Sequence, residues 1–334
     1  MANLATRYVY LNTETTYGTD PGGSSQLYGE VDDESFQQNF DIVLREDMSS
    51  YSNKQAFEGF KHSTGDVNFA FIADDFCGKI LDAIYGVDTT TGTNPYTHTF
   101  TETVDEATLP TFTIGVGRDS KEHLYKGCVL DTFSIGANIN EYVMASASFV
   151  GNGEASTTTL KTPSFSTLDA MHFGKAYVRF EATASSSSNS AMIKSFNLEF
   201  NRNRDVDNGK TLGNESAFQR APPPQRFEIS GSIEFYKPVY TAVDNEPTYD
   251  ELRAGLQVDG TFSSPAISIH LEDEGAATLN IALPKVQYGT PTSTISGRDA
   301  QVMSVDFTVI YDVSESGCSK CILVNTQSSD YDSL

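Results

Sequence analysis

The chain has 334 residues, of which 45 are Asp or Glu and 22 are Lys or Arg, so its formal net charge is −23. Such a surface repels the phosphates of nucleic acids, which argues against sequence-specific DNA or RNA binding. A hydrophobic content of 38% with 11% aromatic residues excludes a disordered chain and predicts a globular one. The length allows two domains of ordinary size.

The excess of carboxylates has two compatible interpretations. It suits a protein that stays hydrated at high salt, and it suits a surface past which a polyanion slides without sticking. No stretch approaches the roughly 18 to 20 apolar residues of a membrane helix, and the first residues lack the pattern of a secretory signal. We therefore expect that the chain does not insert into a membrane and that it folds in the compartment where it is made.

Residues 1–35 precede the first strand-like segment and are rich in turn-forming residues. They contain Tyr17-Gly18 and then Pro21-Gly22-Gly23. Because Gly and Pro favour turns and extended backbone, we interpret this segment as an extended N-terminal arm.

Beyond residue 35, the sequence is dominated by segments in which apolar and polar residues alternate. Alternation with one apolar face is typical of half-buried antiparallel strands. The predicted strands lie, in chain order, at residues 40–44, 67–71, 109–114, 142–150, 177–180, 196–200, 227–231, 264–269 and 302–310.

Two short segments have helical periodicity instead. The first follows two aspartates, runs over residues 76–84 and ends at Gly86. The second, residues 249–256, follows Thr248 with Glu251 three residues on, which is the pattern of a capping box. We expect each helix to lie against an antiparallel sheet or small barrel.

The elements of the first half recur in the same order in the second half. The separation from Val67 to Phe227 is 160 residues, and that from Pro110 to Pro265 is 155. The sequence therefore predicts a mainly β protein with two tandem copies of an antiparallel β-sandwich or barrel domain, each with one flanking α-helix. The predicted limits are 1–35 for the arm, 36–155 for the first copy, 156–315 for the second copy, and 316–334 for a C-terminal tail that is expected to be disordered from Asn325.

Long polar segments separate paired strands in both copies. Residues 49–64 of the first copy correspond to residues 207–224 of the second, and both contain aromatic residues, namely Phe57, Phe60 and Phe218. A loop of that length inside a compact domain is usually functional or disordered. We interpret both segments as projecting arms that pack on a neighbour, with an ordinary hairpin as the alternative.

The sequence lacks the usual catalytic and metal-binding motifs. Its five histidines are isolated from one another, and there is no HExxH, GxSxG or Walker sequence. Acidic turns such as 31–34 and 272–275 lack the alternating ligands of an EF-hand loop. We therefore expect a protein that is not an enzyme and has no cofactor or metal.

Cys318 and Cys321 form a CxxC sequence close to the C-terminus. A zinc site would need two more ligands, and no second CxxC or His pair lies nearby. A metal site, a local disulfide and a pair of inert thiols remain as alternatives, and the sequence favours the inert thiols. The other cysteines, Cys77 and Cys128, are expected to be buried as small apolar residues.

Several sequence segments resemble the tail tube (major tail) proteins of tailed bacteriophages and archaeal viruses, in a duplicated form. The segments are Arg7-Tyr8-Val9-Tyr10-Leu11, Glu14-Thr15-Thr16-Tyr17-Gly18-Thr19, Ile84-Tyr85-Gly86, Tyr96-Thr97-His98-Thr99-Phe100 and Lys126-Gly127-Cys128-Val129-Leu130. Their order covers most of the first copy, and the match to the second copy is looser.

The resemblance implies a structural virion protein of the tail, assembled in the host cytoplasm. Such proteins form rings lined by a continuous antiparallel barrel, and the rings stack into the conduit for genome ejection. A duplicated domain implies trimeric rings with pseudo-sixfold symmetry, with hexamers as the alternative. The implied partners are other copies of the chain, the tape measure, terminator and baseplate or tip proteins, and viral DNA passing without specific binding. The acid excess is compatible with a virus of a salt-loving host.

The strand faces opposite the apolar ones provide candidates for the lining of such a channel. None of these residues is basic, and a basic lining would hold DNA through released counterions. The candidate lumen-facing residues are Asp66, Asn68, Ser146, Ser148, Glu228, Ser230, Asp306 and Thr308. The alternative is that they coat an outer surface.

Two other classes of function remain open at this point. A cell-surface or carbohydrate-binding β-sandwich would explain the strands and the abundance of Ser and Thr, although it would normally have a secretory signal. A two-domain β hydrolase is the enzyme alternative. Rings or tubes of the purified protein would distinguish assembly from both.

Overall fold

The computed structural model describes residues 7–23, 25–103, 105, 109–157, 159–180, 193–212, 218, 220–236, 257–258, 261–262, 266–294, 301–315 and 317–334. Within these residues the chain forms one α-helix, α1 (Asp75–Tyr85), and 22 strands. The strands are β1 (Tyr8–Thr13), β2 (Leu27–Gly29), β3 (Val31–Glu34), β4 (Gln37–Arg45), β5 (Gln55–Ala70), β6 (Gly86–Gly92), β7 (Tyr96–Glu102), β8 (Phe112–Arg118), β9 (Lys121–Asn138), β10 (Met144–Gly151), β11 (Gly153–Thr157), β12 (Ala176–Arg179), β13 (Ile193–Asn201), β14 (Glu228–Phe235), β15 (Gln257–Val258), β16 (Thr261–Phe262), β17 (Ile267–Glu272), β18 (Thr278–Leu283), β19 (Val286–Tyr288), β20 (Thr292–Thr294), β21 (Val302–Val309) and β22 (Lys320–Asn325). The prediction of a mainly β protein is confirmed.

Strands from both halves of the chain form one 14-stranded antiparallel sheet. Its main path has the order β19-β21-β14-β13-β9-β10-β5-β3, and β1, β2, β4, β8, β11 and β20 pair along its margins. The halves meet where β9 pairs with β13, from Asn138 opposite Ser195 to Thr132 opposite Asn201. The two halves are therefore hydrogen-bonded to each other through a full strand pair.

A second sheet also mixes strands from different parts of the chain. Its order is β12-β17-β18-β22-β7-β6. The apolar side chains of both sheets and of α1 belong to one hydrophobic cluster, which includes Phe133, Phe200, Leu279 and Leu323. Because both sheets and the core are shared, the structure gives no boundary between two separate units. The predicted tandem copies and their limits remain predictions.

Helix α1 confirms the first predicted helix and begins and ends as the sequence indicates. The carboxylate of Asp74 accepts a hydrogen bond from the backbone N–H of Cys77 at 2.9 Å, which satisfies one free donor of the first turn. The helix ends at Gly86, whose φ of +93° is the left-handed conformation that glycine adopts without steric cost. The second predicted helix, residues 249–256, lies outside the described residues.

The N-terminal segment is part of the main sheet instead of an extended arm. Strand β1 pairs with β2 on one side and with β8 on the other. Tyr10 and Leu11 are fully buried. The sequence Tyr8-Val9-Tyr10-Leu11 is apolar enough to form a strand. The turn-forming residues that follow it led instead to the prediction of an extended arm.

The prediction of a disordered C-terminal tail is wrong. Strand β22 lies between β18 and β7 in the second sheet. Beyond it, Tyr331 is fully buried against α1, where the ammonium of the buried Lys79 donates to the Tyr331 carbonyl at 2.5 Å. The tail is polar in composition, but its few apolar side chains complete the core, and composition alone does not show that.

Candidate functional site

All eight candidate residues lie on the polar face of the main sheet. The candidate residues of β5, β10, β14 and β21 are exposed or partly exposed, and their strand neighbours Val67, Ala147, Ile229 and Phe307 are buried. Asp66 is directly opposite Ser148, and Asn68 is opposite Ser146, in the β5–β10 pair. Ser230 is opposite Thr308 in the β14–β21 pair. The structure therefore brings the candidates from both halves onto one continuous surface.

The strands between these pairs supply residues that the sequence interpretation missed. The register of β10 with β9 and of β13 with β14 connects the two groups through Thr132, Ser134, Asn197, Glu199, Asn201 and Ser232. One row runs from Asn68 through Ser146, Ser134, Glu199 and Ser230 to Thr308. The alternation in the predicted strand 196–200 could have identified Asn197 and Glu199. No strand was predicted at the position of β9, so Thr132 and Ser134 could not be identified in this way.

The polar face is acidic. Its carboxylates are Asp66, Glu199, Glu228, Glu234 and Asp306. Two cations pair with them, Lys194 with Glu234 at 2.9 Å and Arg226 with Glu228 at 3.3 Å. The remaining carboxylates have only neutral neighbours among the contacts described, such as the Ser148 hydroxyl that donates to Asp66. The face therefore presents an excess of negative charge.

The opposite face of the same strands packs in the apolar core, and this packing fixes which residues point outward. Phe133, Phe200, Ile229 and Phe307 are each at most 3% exposed. Phe133 is directly opposite Phe200 in the β9–β13 pair, so packing beneath the junction of the two halves is continuous. A one-residue slip in any of these strands would expose its apolar side chains, so the register holds the polar residues outward.

A projecting β-hairpin is the second candidate site. Strand β4 pairs with the first part of β5, from Gln37 opposite Thr64 to Arg45 opposite Gln55. Its apolar residues Ile42, Val43 and Leu44 are 61%, 55% and 50% exposed. Consecutive residues of a strand point to opposite faces, so both faces of this hairpin expose apolar surface. Such surface marks an interaction site.

The hairpin overlaps the first predicted arm, and part of the second predicted arm packs at its base. Phe218 is 2% exposed, and its ring centroid lies 4.8 Å from that of Phe60. The ammonium of Lys210 lies 5.5 Å from the Phe60 ring centroid. At Phe218, the second segment therefore packs within its own chain.

Both C-terminal cysteines are free thiols. Cys321 is fully buried, and burial raises the pKa of its thiol well above the ordinary range. Burial also raises the pKa of the Cys318 thiol, to about 11.

The described residues contain no group of three or more His, Cys, Asp or Glu side chains placed to hold a metal ion. No helix among the residues described above is long and apolar enough to cross a membrane.

The two candidate sites of this β-sheet protein are an acidic sheet face and a hairpin with exposed apolar residues on both of its faces. Both sites are extended surfaces, which are typical of proteins that assemble with other proteins. The model of the phage tail tube protein family matches residues 5–309. The chain belongs to this family of structural components of the phage tail, which self-assemble into a tube with other tail proteins. No curated protein matches the chain.

Proposed function

We propose that this protein forms rings that stack into the tail tube and that the polar face of its main sheet lines the channel for the genome. The observation that carries the proposal is the single continuous surface formed by all eight candidate residues and by the strands between them.

The charge of this face supports passage of DNA without capture. Duplex DNA carries about one negative charge per 1.7 Å, and basic side chains bind it by releasing its counterions. Asp66, Glu199 and Asp306 instead repel the phosphates, while the serine and threonine hydroxyls between them keep the wall hydrated. A passing duplex then has no strong binding site along the wall. The same acid excess suits a tube that must stay soluble at high salt, as in a salt-loving host.

The number of strands favours a ring of three chains. Each chain contributes eight strands to the main path of the sheet. At about 4.8 Å per strand, 24 strands give a circumference of about 115 Å and a backbone diameter of about 37 Å before strand tilt widens it. Two chains would give only about 24 Å, which inward side chains narrow further. One chain alone would form a barrel filled by its own side chains.

The exposed hairpin provides the second contact that a tube needs. Its apolar side chains would be covered by a neighbouring copy, in the same ring or in the adjacent one. Burial of apolar area contributes about 25 cal/mol per Å², so several half-exposed aliphatic side chains per chain give a sizeable driving force for stacking. The other tail proteins then meet the ends of the stack.

The experiment is assembly of the purified full-length protein. We expect rings or tubes by negative-stain electron microscopy, either spontaneously or on addition of a tail initiator complex. A chain that stays monomeric under both conditions would contradict the proposal, as would particles of defined size with no channel. Release of the viral genome through such tubes tests the second half of the proposal.

A further inference from the structure

The residues that follow β22, numbers 326–334 and here called the C-terminal segment, close over a buried histidine. His98 lies in β7, its side chain is fully buried, and its ring centroid is 4.6 Å from that of Tyr331. The Nδ1 nitrogen is 2.8 Å from Oδ2 of Asp88 in β6, and the Nε2 nitrogen is 2.9 Å from the backbone carbonyl oxygen of Gln327. The ring therefore connects the second sheet with the C-terminal segment.

The partners of the two ring nitrogens determine how the ring is protonated. A carboxylate oxygen and a backbone carbonyl oxygen accept hydrogen bonds and donate none. A neutral imidazole has one N–H group, so in either tautomer the other nitrogen would direct its lone pair at one of these oxygens. The imidazolium has two N–H groups and donates to both Asp88 and Gln327. The geometry therefore selects the charged form of His98.

The charges next to His98 favour the same form. Burial disfavours a charged ring, but the hydrogen bond to Asp88 and the charges of Asp88 and Asp330 outweigh burial, so the pKa of His98 is raised above its ordinary value of about 6.5. Among the described residues, His98 is the only basic group within ion-pair distance of Asp88. The charge of the buried Asp88 is therefore balanced by the proton on His98.

Other titratable side chains lie on the elements packed around His98, and they respond to pH differently. Burial raises the pKa values of the Cys321 thiol and the Tyr331 phenol, so both are neutral near pH 7. Burial also raises the pKa values of Asp82 and Asp332, and carboxyl groups lose their charge as the pH falls. These groups of α1, β22 and the C-terminal segment are Asp75, Lys79, Asp82, Cys321, Tyr331 and Asp332.

The C-terminal segment is fastened to both of its neighbours by polar contacts. On the side of β6, Oδ2 of Asp88 accepts a hydrogen bond from the backbone N–H of Tyr331 at 2.8 Å, and Asp330 accepts one from the backbone N–H of Thr90 at 2.8 Å. On the side of α1, the ammonium of Lys79 donates to the Tyr331 carbonyl at 2.5 Å. The contact with Asp88 links the position of the segment to the charge of His98.

Loss of the ring proton would weaken the attachment of this segment in particular. The Gln327 carbonyl would lose its donor, and Asp88 would lose its counter-charge, and both losses are costly in a buried site. Strand β7 lies between β22 and β6 in the second sheet, so His98 is held in place. The C-terminal segment is joined to the sheet at one end only, so it is the part that can move away.

We propose that His98 is a pH-sensitive clasp: its imidazolium holds the C-terminal segment against β6 and α1, and loss of the ring proton releases that segment. The clasp is fully closed below the pKa of an exposed histidine, about 6.5, and opens as the pH rises through the higher pKa of the folded chain. Between these two pKa values the ratio of open to closed molecules should rise about tenfold per pH unit. The clasp operates within one chain, so it does not depend on the proposed function.

Hydrogen exchange of the full-length protein, followed by mass spectrometry from about pH 6 to about pH 9, tests the release. After correction for the intrinsic effect of pH on exchange, protection of the C-terminal segment should fall about tenfold per pH unit above about pH 6.5 and then reach a plateau. Strand β22 should keep its protection, because it stays paired in the sheet. Constant protection of the C-terminal segment over this range contradicts the proposal.

The charge of the ring is measured by nuclear magnetic resonance of protein that contains isotope-labelled histidine. We expect two N–H groups on His98 at neutral pH. Asp88→Asn removes the counter-charge and retains an oxygen that can accept from the Tyr331 N–H. The variant should therefore lower the titration midpoint of His98 and the pH of release together, by about one pH unit or more. A purely structural contact would weaken the segment at every pH without moving the midpoint. A single N–H group on wild-type His98 at neutral pH overturns the proposal.

The matched control is His172, whose neutral ring satisfies both of its partners. Its Nδ1 nitrogen accepts from the Gly174 N–H at 3.1 Å, and its Nε2 nitrogen is 2.9 Å from the Glu274 carboxylate. His172→Gln should leave the pH dependence of exchange unchanged, whereas His98→Gln should abolish it and leave the C-terminal segment unprotected at every pH. If His98→Gln keeps the wild-type pH dependence, another group controls release and the proposal is wrong. The wild-type pH series decides the question if His98→Gln does not fold.

Discussion

The guanidinium of Arg202 donates to the backbone carbonyl of Ile84, with the Nε nitrogen 2.8 Å from the oxygen. It also donates to the carbonyls of Tyr85 and Thr103, each at 3.0 Å. An arginine from the second half of the chain thus satisfies carbonyls at the C-terminal end of α1 in the first half, where a cation is also favoured by the helix dipole. The halves are joined by this contact as well as by the sheet.

Replacement of Arg202 by alanine should therefore destabilise the whole chain. The substitution leaves buried carbonyls without donors and removes a cation lying 4.3 Å from the Phe227 ring centroid. Loss of such buried charged hydrogen bonds costs roughly 3–5 kcal/mol. Burial lowers the pKa of Arg202 to about 10. Lysine has fewer hydrogen-bond donors than arginine, so lysine at this position should restore only part of the stability. Chemical denaturation measures the effect, with the exposed Arg226→Ala as the control. Equal stability of the two variants would contradict this role.

Gly78 provides a test in which helix propensity and packing predict opposite signs. Alanine in a helix interior is favoured over glycine by about 1 kcal/mol. At this position, however, an added Cβ would overlap the ring of Tyr331. We expect Gly78→Ala to destabilise the protein by roughly 1–3 kcal/mol, the range for overpacking, and to release the C-terminal residues to limited proteolysis.

The control for Gly78 is Gly153→Ala, where nothing lies within 4 Å of the added Cβ. We expect that variant to unfold at nearly the wild-type temperature. If Gly78→Ala is more stable than the wild type and its C-terminus stays protected, the packing of Tyr331 on α1 is not as described.

The sequence predicted the local elements well and the long-range arrangement poorly. The alternation of residues 142–150 and 302–310 identified strands β10 and β21 and their polar faces, because period two depends only on neighbouring residues. The pairing of β9 with β13 could not be predicted, because register across distant strands depends on the whole core. The same limitation hid the buried Glu14, whose carboxylate accepts from the N–H groups of Gly18 and Gly127 at 2.7 and 2.8 Å.

The hairpin should be needed for assembly and dispensable for folding. In the isolated chain the side chains of Ile42 and Leu44 are at least half exposed, so replacing both by serine should change the free energy of unfolding by no more than about 0.5 kcal/mol each. We expect the double variant to fold and to lose tube formation. Tube formation is followed by electron microscopy, and folding is checked by the thermal unfolding temperature of the same sample.

The matched control for the hairpin is Glu58→Ser, which changes a polar side chain opposite Ile42 in the same ribbon. This variant should assemble as the wild type does. Tubes of normal length from the Ile42→Ser, Leu44→Ser variant would mean that the exposed apolar residues do not bridge copies.

Reversal of charge on the polar face should impair genome release without preventing assembly. Replacing Asp66, Glu228 and Asp306 by lysine places new cations on exposed positions that make no contribution to the core. Tubes should form, but cations on the wall would hold the DNA, so release should slow, most strongly at low salt where screening is weak. Release is followed by fluorescence of a DNA-binding dye after receptor triggering.

The control for charge reversal applies the same change elsewhere. Asp119, Asp207 and Glu315 are exposed and lie outside the polar face, so their replacement by lysine should leave the rate of release unchanged. A comparable delay in both variants would indicate a general effect of net charge and would count against a lining role.

The central claim is that the acidic face of the main sheet lines the channel, and a cryo-electron microscopy reconstruction of assembled tubes tests it most directly. We predict that Asp66, Ser134, Glu199 and Asp306 face the channel axis from one continuous barrel, with the second sheet and α1 on the outside. A reconstruction in which these four residues lie on the outer surface of the tube would contradict the claim.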